Sequence, residues 1–491
     1  MRIFKKIIYI ICSVCLLLSC IGCGDSAPKT RVYFELPSIP STVDPQTAHT
    51  PAELMLVRNL YEGLLRYDEN GKLENGVARE YTQNGLTLTF KLREDASWDS
   101  GEPLLAEDFV FGMRRAVDPE TRSPFVSRFY SIAGAEAISR GTQGVETLGV
   151  KATDKHTLVI TLIREDDDLL HNLTTAPFMP CNEDFFYASV GKYGLERDCV
   201  LANGSYYLGK WNQETFGMRL YRNAEYYGEH EAVNGAVFLS CSDDKTPLER
   251  LSEENVDAAL LGSGEQKKAK ELGFSTVSTE NICWVLTLGS DLSANMRKSL
   301  MMLIDPHVYS IDLPEGFVAA KSFYPAAVNC EDVGSVGRVP YDPESAKKLF
   351  SEAVRALENK KLPPTALKYY SSAPIKDAVT SIVAHWQQNL SAFINIEAVD
   401  SQDAFASQLK EKSLTMALFP ITADSASLKE YLATFSKSGT AAQAQTELLK
   451  DNSIVPIAFE QTTLAFGEKV EFTRLDPGNG HIDFAYVLKE D

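Results

Sequence analysis

Residues 85–119 read GLTLTFKLREDASWDSGEPLLAEDFVFGMRRAVDP. Leucine and phenylalanine first alternate with threonine, lysine and arginine, which predicts a strand with one buried face. After Trp98 the chain passes through an acidic glycine turn and then takes the spacing of a helix. The apolar face of this helix is formed by Phe109, Met113 and Ala116. Because helical geometry is disfavoured before proline, we expect the helix to end at Asp118, before Pro119.

The same order of elements resembles the extracytoplasmic solute-binding proteins of family 5, which serve oligopeptide and dipeptide ABC transporters. Residues 58–73, RNLYEGLLRYDENGKL, resemble this family in the same register, and residues 203–228, NGSYYLGKWNQETFGMRLYRNAEYYG, resemble it again. The resemblance covers essentially everything after residue 29. It implies an α/β fold of the class II periplasmic binding protein type, with two α/β lobes, a hinge and a ligand cleft between the lobes.

The length of 491 residues is too great for a single hydrophobic core and predicts more than one lobe. We expect five parts. These are a signal peptide (1–19), a lipidated cysteine with a tether (20–29), the core of lobe I (30–60, 200–282 and 457–491), an extension of lobe I (61–199) and lobe II (283–456).

The composition is that of a soluble globular protein, with 44% hydrophobic and 23% charged residues. The formal net charge of -19 predicts an acidic surface. Contacts to phosphate groups need clustered lysine and arginine, so a nucleic-acid partner is not expected.

The first residues have the layout of a secretory signal. Three basic residues within the first six positions precede an apolar run at residues 7–18. This run is shorter than the roughly 20 residues that a membrane-spanning helix needs. Residues 17–20, LLSC, resemble a bacterial lipoprotein signal, which implies acylation of Cys20, with Cys23 as the alternative. A simple signal peptide or an uncleaved anchor remains the other interpretation. We expect an extracytoplasmic protein anchored to the cell membrane by lipid.

The sequence offers no catalytic or metal-binding motif. It contains no HExxH, GxSxG or GxxxxGK[ST] pattern, so we predict a protein that is not an enzyme and has no cofactor. No CxxC pair occurs among the later cysteines, so a structural zinc site is not predicted. A disulfide between Cys181 and Cys199 and buried free thiols both stay open. The five later cysteines are Cys181, Cys199, Cys241, Cys283 and Cys330.

The family resemblance implies a set of ligand-binding residues. In the family, the segment after a Val-Asp-Pro loop lines the cleft, which here places His49, Thr50 and Pro51 in contact with ligand. An ordinary surface loop is the alternative. Phe125 follows Ser123 and Pro124, where the family often has an aromatic residue at the cleft mouth. A core aromatic is the alternative there.

A second cleft segment is implied at residues 415–424, TMALFPITAD. Ile421 stands where the family has a tryptophan, whereas Asp424 keeps the family's acidic residue. In peptide-binding members this acid pairs with the terminal ammonium of the ligand, through a charge-assisted hydrogen bond. An exposed loop acid is the alternative for Asp424. The chain then reaches its return strand at residues 454–457 after fewer residues than are usual in the family.

Three local structures are also predicted. Asn203 and Gly204 should form the tight turn of a hairpin. Asp342 should cap a helix that has Pro343 at its first position. A strand at residues 367–370, a helix and a strand at residues 394–398 should form a βαβ unit with parallel pairing.

The resemblance therefore implies a lipid-anchored, monomeric binding protein that holds oligopeptides and delivers them to ABC permease subunits. One alternative keeps the fold with another cargo, namely a cell-wall peptide, a nickel chelate or haem. Another is a surface lipoprotein that uses the fold for adhesion or sensing.

Overall fold

The computed structural model describes residues 31–490 with internal gaps. The gaps are residues 37, 69–71, 167–168, 213–216, 229–232, 240–244, 254, 263, 324–338, 362–364, 371–372, 402–404, 406–407, 409–413, 423–446, 448 and 473–481. The predicted lipidation sites Cys20 and Cys23 and the predicted ligand residue Asp424 lie outside the described residues.

The strands of the described residues are numbered in chain order. They are β1 (Arg31–Glu35), β2 (Leu65–Tyr67), β3 (Leu73–Asn75), β4 (Ala78–Asn84), β5 (Thr87–Leu92), β6 (Val150–Asp154), β7 (Thr157–Thr161), β8 (Tyr206–Asn212), β9 (Gly217–Arg222), β10 (Gly235–Leu239), β11 (Ala258–Leu261), β12 (Ser275–Leu288), β13 (Phe317–Ala319), β14 (Thr365–Tyr370), β15 (Ile394–Val399), β16 (Met416–Thr422), β17 (Ile454–Phe466), β18 (Val470–Phe472) and β19 (Val487–Lys489).

The α-helices are numbered in the same way. They are α1 (Pro51–Leu60), α2 (Ala106–Val117), α3 (Ala135–Ser139), α4 (Leu169–Asn172), α5 (Glu183–Ala188), α6 (Pro247–Ser252), α7 (Gln266–Glu271), α8 (Ala294–Met301), α9 (Pro306–Tyr309), α10 (Pro343–Arg355) and α11 (Lys376–Leu390).

One eleven-stranded sheet runs through the molecule in the order β15-β14-β16-β12-β17-β11-β1-β10-β9-β8, with β13 added to β17. In one half, β1 pairs in parallel with both β10 and β11. In the other half, β14 pairs in parallel with both β15 and β16. The long strands β12 and β17 lie antiparallel between these halves. The predictions of an α/β fold and of a parallel β14–β15 pair are therefore confirmed.

Separate hydrophobic cores lie on the two halves of the sheet. We call the half around Phe34, Trp98 and Phe109 lobe I, and the half around Leu367 and Trp386 lobe II. A four-stranded sheet, β4-β5-β7-β6, extends lobe I. The exact boundaries of the five predicted parts remain a prediction.

The helix predicted to open at Asp342 is confirmed as α10. The Asp342 carboxylate accepts a hydrogen bond from the Ser345 backbone N–H at 3.0 Å, which satisfies one donor of the first turn. The helix buries Ala346, Phe350 and Ala353 against the core of lobe II.

Residues 85–119 form β5, a turn and α2. Leu88, Phe90 and Leu92 are buried as the alternation predicts, but Leu86 lies before the strand and is partly exposed. The apolar face of α2 is fully buried, and this helix ends at Asp118, whose backbone is extended. The periodic part of the prediction is confirmed.

The prediction that Asn203 and Gly204 form a hairpin turn is wrong. Asn212 at the end of β8 pairs with Gly217 at the start of β9, so Asn203 and Gly204 precede the first strand. Their backbone N–H groups instead donate to the carbonyl of Leu60, at 3.2 and 2.8 Å, at the end of α1. Gly204 is required there by close approach rather than by a turn.

We expect Gly204→Ala to destabilise the protein. A Cβ on Gly204 would lie 2.8 Å from the carbonyl carbon of Leu60 and 2.9 Å from the nitrogen of Tyr61. Overpacking of this kind costs about 1–3 kcal/mol in the free energy of unfolding, which chemical denaturation measures. Gly467→Ala is the matched control, because a Cβ there meets no heavy atom within 4 Å. Equal losses for the two variants would contradict the interpretation.

Asp108 provides a pH-dependent prediction. Burial raises the pKa of Asp108 to about 6, against 3.8 for a free side chain, although Leu105 and Trp98 donate hydrogen bonds to it. The folded protein therefore binds this proton more tightly than the unfolded chain, and stability from this group is lost as the pH rises from about 4 to about 6. Asp108→Asn removes this titration. Between pH 4 and pH 7, the free energy of unfolding of the variant should rise relative to that of the parent by roughly 2–3 kcal/mol. A difference that is constant with pH would refute the assignment.

Candidate functional site

The carboxyl ends of the two parallel strand sets meet at the middle of the long strands. Leu261, the last residue of β11, lies opposite Thr463 of β17. Thr422, the last residue of β16, lies opposite Ile282 of β12. Ligands of open α/β sheets bind beyond the carboxyl ends of the strands. Both lobes therefore direct their ligand-binding edges to one place, and the candidate cleft lies there.

The part of β12 and β17 between the lobes is polar except for Ile282, and we call residues 278–282 and 460–463 the ribbon. The Ser278 and Thr463 hydroxyl oxygens are 2.8 Å apart, and the Thr462 hydroxyl donates to the Asn281 side-chain carbonyl oxygen at 2.8 Å. The strand register also shifts between Glu280 and Ile282. Such a register irregularity bends a strand locally.

Apolar residues return on either side of the ribbon. Val277 and Leu464 pack on the core of lobe I, whereas Trp284 and Ala458 belong to the core of lobe II. A bend at the ribbon therefore leaves both apolar cores intact. This arrangement is that of a hinge whose motion absorbs backbone rotation in a few residues.

A contact beside the ribbon also joins the lobes. The carboxylate of Glu315, next to β13, accepts a hydrogen bond from the backbone N–H of Lys267 in α7. The neighbouring Gly316 carbonyl accepts from the Gln461 N–H at 2.8 Å. No sequence pattern indicates this contact, because it joins segments 48 positions apart in the chain.

The loop that follows β1 is fixed by a buried ion pair. The Arg115 guanidinium of α2 donates to both carboxylate oxygens of Asp44, at 2.7 and 3.2 Å. It also donates to the Gln46 side-chain oxygen at 2.6 Å and lies 4.0 Å from the ring centroid of Phe186. Bidentate pairs of this kind are strong and directional. The aspartate of the Val-Asp-Pro motif is therefore a structural anchor for the loop.

The predicted ligand residues His49, Thr50 and Pro51 lie at the end of this loop, where α1 begins. Thr50 is the N-cap, and its hydroxyl accepts from the Glu53 N–H at 3.3 Å. Pro51 occupies the first turn, where its missing N–H costs nothing. The His49 side chain is exposed, with Nδ1 3.5 Å from a Glu53 carboxylate oxygen. Thr-Pro-x-Glu is a helix-start pattern, so the sequence could have predicted this cap.

The other predicted ligand residues lie apart from this loop in the chain. Phe125 is half-buried at the start of a 3₁₀ turn, Val126–Phe129, and the Arg128 guanidinium lies 4.5 Å from its ring centroid. Ile421 is buried with Phe419 and Cys283 on the side of the lobe II sheet away from Trp284. It lies at the carboxyl end of β16, next to the ribbon. The ligand-binding roles of these residues remain predictions.

Two of the motif segments meet at a partly buried charge cluster that no sequence pattern predicts. The Tyr227 hydroxyl donates to the Glu62 carboxylate at 2.7 Å, and Arg66 donates to the Tyr226 hydroxyl at 2.8 Å. Arg66 also pairs with Glu74 at 2.7 Å. Burial raises the pKa of Glu62 even though Arg66 opposes this effect. The cluster joins the motif segment at residues 58–73 to the one at residues 203–228, and its role is structural.

The disulfide considered for Cys181 and Cys199 is not formed, because both residues are free thiols. Cys181 is buried beside Arg115, and burial raises the pKa of its thiol to about 11. Among the described residues, no group of three or more histidine, cysteine, aspartate or glutamate side chains could hold a metal ion. No helix within the described ranges has the length and apolar character needed to cross a membrane.

The two lobes, the ribbon between them and the converging carboxyl ends define a two-lobed solute-binding protein of the class II periplasmic type. Comparison with known proteins gives the family. Residues 72–443 match the family model of bacterial extracellular solute-binding proteins, family 5. This match covers more than half of the chain, and the chain therefore belongs to this family. Its members are solute-binding proteins rather than enzymes.

Curated relatives and solved structures agree with this assignment. The dipeptide-binding protein of Lactococcus lactis is 24% identical over 77% of this chain and 74% of its own length. The periplasmic oligopeptide-binding protein OppA of Haemophilus influenzae is 26% identical over 75% of this chain and 71% of its own. The murein tripeptide-binding protein MppA of Escherichia coli superposes with a TM-score of 0.71 at 21% identity, over 94% of this chain and 99% of that chain. Peptide-bound OppA of Listeria monocytogenes superposes with a TM-score of 0.67 at 20% identity, over 95% of this chain and 100% of that chain. The predicted class II fold and family are confirmed.

We expect Arg115→Ala to lower the free energy of unfolding by roughly 3–5 kcal/mol, because it leaves the Asp44 carboxylate buried without its partner. Arg140→Ala is the control. Arg140 pairs with Glu136 at 2.5 Å, but its side chain is 69% exposed, so the loss should stay below about 1 kcal/mol. Chemical denaturation of both variants checks the contrast. Similar losses would show that the Asp44–Arg115 pair does not anchor the loop.

Proposed function

We propose that the protein binds oligopeptides in the cleft between its lobes and delivers them to the permease of an ABC importer. The observation that carries this proposal is the convergence of both ligand-binding edges, at Leu261 and Thr422, on the polar ribbon. A ligand that contacts both edges stabilises the closed arrangement of the lobes, which a permease can distinguish from the empty one. The relatives named as dipeptide- and oligopeptide-binding proteins support the choice of ligand.

The proposed ligand contacts come from both lobes. His49, Thr50 and Pro51 follow the anchored loop of lobe I, and Phe125 adds an aromatic wall. Asp424, which follows the end of β16 by two positions in the sequence, binds the terminal ammonium of the peptide. An extended peptide can also be held by main-chain hydrogen bonds, which tolerate different side chains. Ile421, in place of a tryptophan, leaves a smaller apolar wall beside the ligand.

We place the protein outside the cytoplasm as a monomer held to the membrane by lipid on Cys20, with Cys23 as the alternative. The family assignment supports the extracytoplasmic location. The charged and apolar segments at the start of the sequence support the anchor.

A cell-wall peptide is the second candidate cargo. The periplasmic murein peptide-binding protein MppA of Escherichia coli is 35% identical over 47% of this chain and 43% of its own length. The replacement of the tryptophan by Ile421 is consistent with a ligand other than a general oligopeptide. Mass spectrometry of molecules that co-purify with the protein separates the two candidates. Linear peptides of mixed sequence support the proposed function, whereas peptides with D-amino acids or diaminopimelate support the second. Absence of any peptide would contradict both.

We expect Asp424→Ala to weaken binding of free-amine peptides about 10- to 100-fold in calorimetry, because a hydrogen bond between charged groups is lost. Peptides acetylated at the amine should bind parent and variant alike. Asp198→Ala is the control, since the Asp198 side chain is 88% exposed. Equal affinities of parent and Asp424→Ala for free-amine peptides would rule out the ammonium contact.

A further inference from the structure

Two helices of lobe I begin with the same pattern. Residues 50–53 read TPAE at the start of α1, and residues 246–249 read TPLE at the start of α6. In each, the threonine hydroxyl accepts from the glutamate N–H at 3.3 Å. In each, the glutamate carboxylate accepts from the threonine N–H, at 3.0 Å in α1 and 2.9 Å in α6. Both glutamates therefore complete the same cap.

Glu53 makes further hydrogen bonds that Glu249 does not share. Its carboxylate accepts from the Ser41 N–H at 3.0 Å, from the Ser41 hydroxyl at 2.5 Å and from the His49 N–H at 3.0 Å. The Glu53 side chain is 1% exposed, whereas Glu249 lies on the surface. Capping explains the contact with Thr50. The contacts to Ser41 and His49 need another explanation.

The extra contacts close a loop. Ser41 and His49 lie eight positions apart, and Glu53 binds both, so one carboxylate ties together the two ends of residues 41–50. The Asp44–Arg115 pair fixes the middle of the same loop. The loop leaves β1 at Glu35, which is level with Ala259 near the carboxyl end of β11. It therefore rises from the edge that faces the cleft.

The hydrogen bonds also keep the Glu53 carboxylate ionised. Burial acts to raise the pKa of this carboxyl, but the hydrogen bonds from Ser41, His49 and Thr50 outweigh burial and lower it to about 2. The carboxylate stays ionised at any pH near neutrality, and its bonds to the loop are charge-assisted.

We propose that Glu53 is a positioning residue for ligand binding: it closes the loop of residues 41–50 and thereby fixes His49, Thr50 and Pro51 at the cleft. The inference rests on the proposed function, since it concerns how that cleft is prepared for a peptide. A preformed loop lowers the ordering cost of binding.

The test compares Glu53→Gln and Ser41→Ala with the control Glu249→Gln. Each glutamine variant removes the charge from a cap of the same type, but only Glu53→Gln also weakens the loop closure. Ser41→Ala keeps the carboxylate and the cap and removes one bond to the loop. Calorimetry with a linear free-amine peptide should show at least tenfold weaker binding for Glu53→Gln, about threefold weaker for Ser41→Ala, and less than twofold change for Glu249→Gln. Amide hydrogen exchange without ligand should accelerate at His49 and Thr50 in the first two variants alone.

Ser41→Ala decides the question if Glu53→Gln does not fold. Faster exchange with unchanged affinity overturns the inference, because the loop is then loosened without an effect on binding. Unchanged exchange in Ser41→Ala also overturns it. A parent protein that binds no peptide overturns the proposed function instead, and this outcome is separate because the parent is measured first.

Discussion

The structure depends on two antiparallel strands that pass from one lobe to the other through the mostly polar ribbon. β12 and β17 enter the core of lobe I at Val277 and Leu464 and the core of lobe II at Trp284 and Ala458. Between these points the side chains bond to each other, as Ser278 does to Thr463. Burial of apolar surface is the dominant stabilising contribution in folding, and each lobe has its own buried apolar core. Ile282 is the one apolar residue of the ribbon and lies at its lobe II end, so the ribbon contributes little to either core and can bend at small cost.

A bend at the ribbon can close the lobes on a ligand only if the ligand-binding edge of lobe I is rigid. The loop after β1 is held by a carboxylate from α1 and by a guanidinium from α2, both almost fully buried. A buried charge is costly unless an opposite charge or several hydrogen bonds compensate it. Arg115 is paired with Asp44, and the Glu53 carboxylate accepts hydrogen bonds from Ser41, His49 and Thr50. Arg115 donates to both the Gln46 side-chain oxygen and Asp44 Oδ2, so loss of Arg115 leaves these two buried oxygens without that donor. The loop is therefore coupled to the packing of α2, which buries Phe109 and Met113.

The sequence predicted the local and periodic features well. The alternation of Leu88 and Phe90, the cap at Asp342 and the parallel pairing of β14 with β15 all follow from spacing. The wrong assignment of Asn203 and Gly204 came from a turn-forming dipeptide whose glycine serves close packing on Leu60 instead. Contacts such as Asp44–Arg115, 71 positions apart, or Ser278–Thr463, 185 positions apart, have no local pattern. The capping pattern was enough to predict the contact of Glu53 with Thr50, but it could not predict the hydrogen bonds of Glu53 with Ser41 and His49.

Closure of the lobes about the ribbon on peptide binding can be measured directly. Lys210 on β8 and Glu397 on β15 are exposed at opposite ends of the eleven-stranded sheet. Genetically encoded spin labels at these positions leave the native thiols in place, and double electron–electron resonance measures the distance between them. We predict a shift to shorter distances when a peptide mixture is added. Distance distributions that superimpose with and without peptide, for a protein that calorimetry shows to bind peptide, would contradict closure.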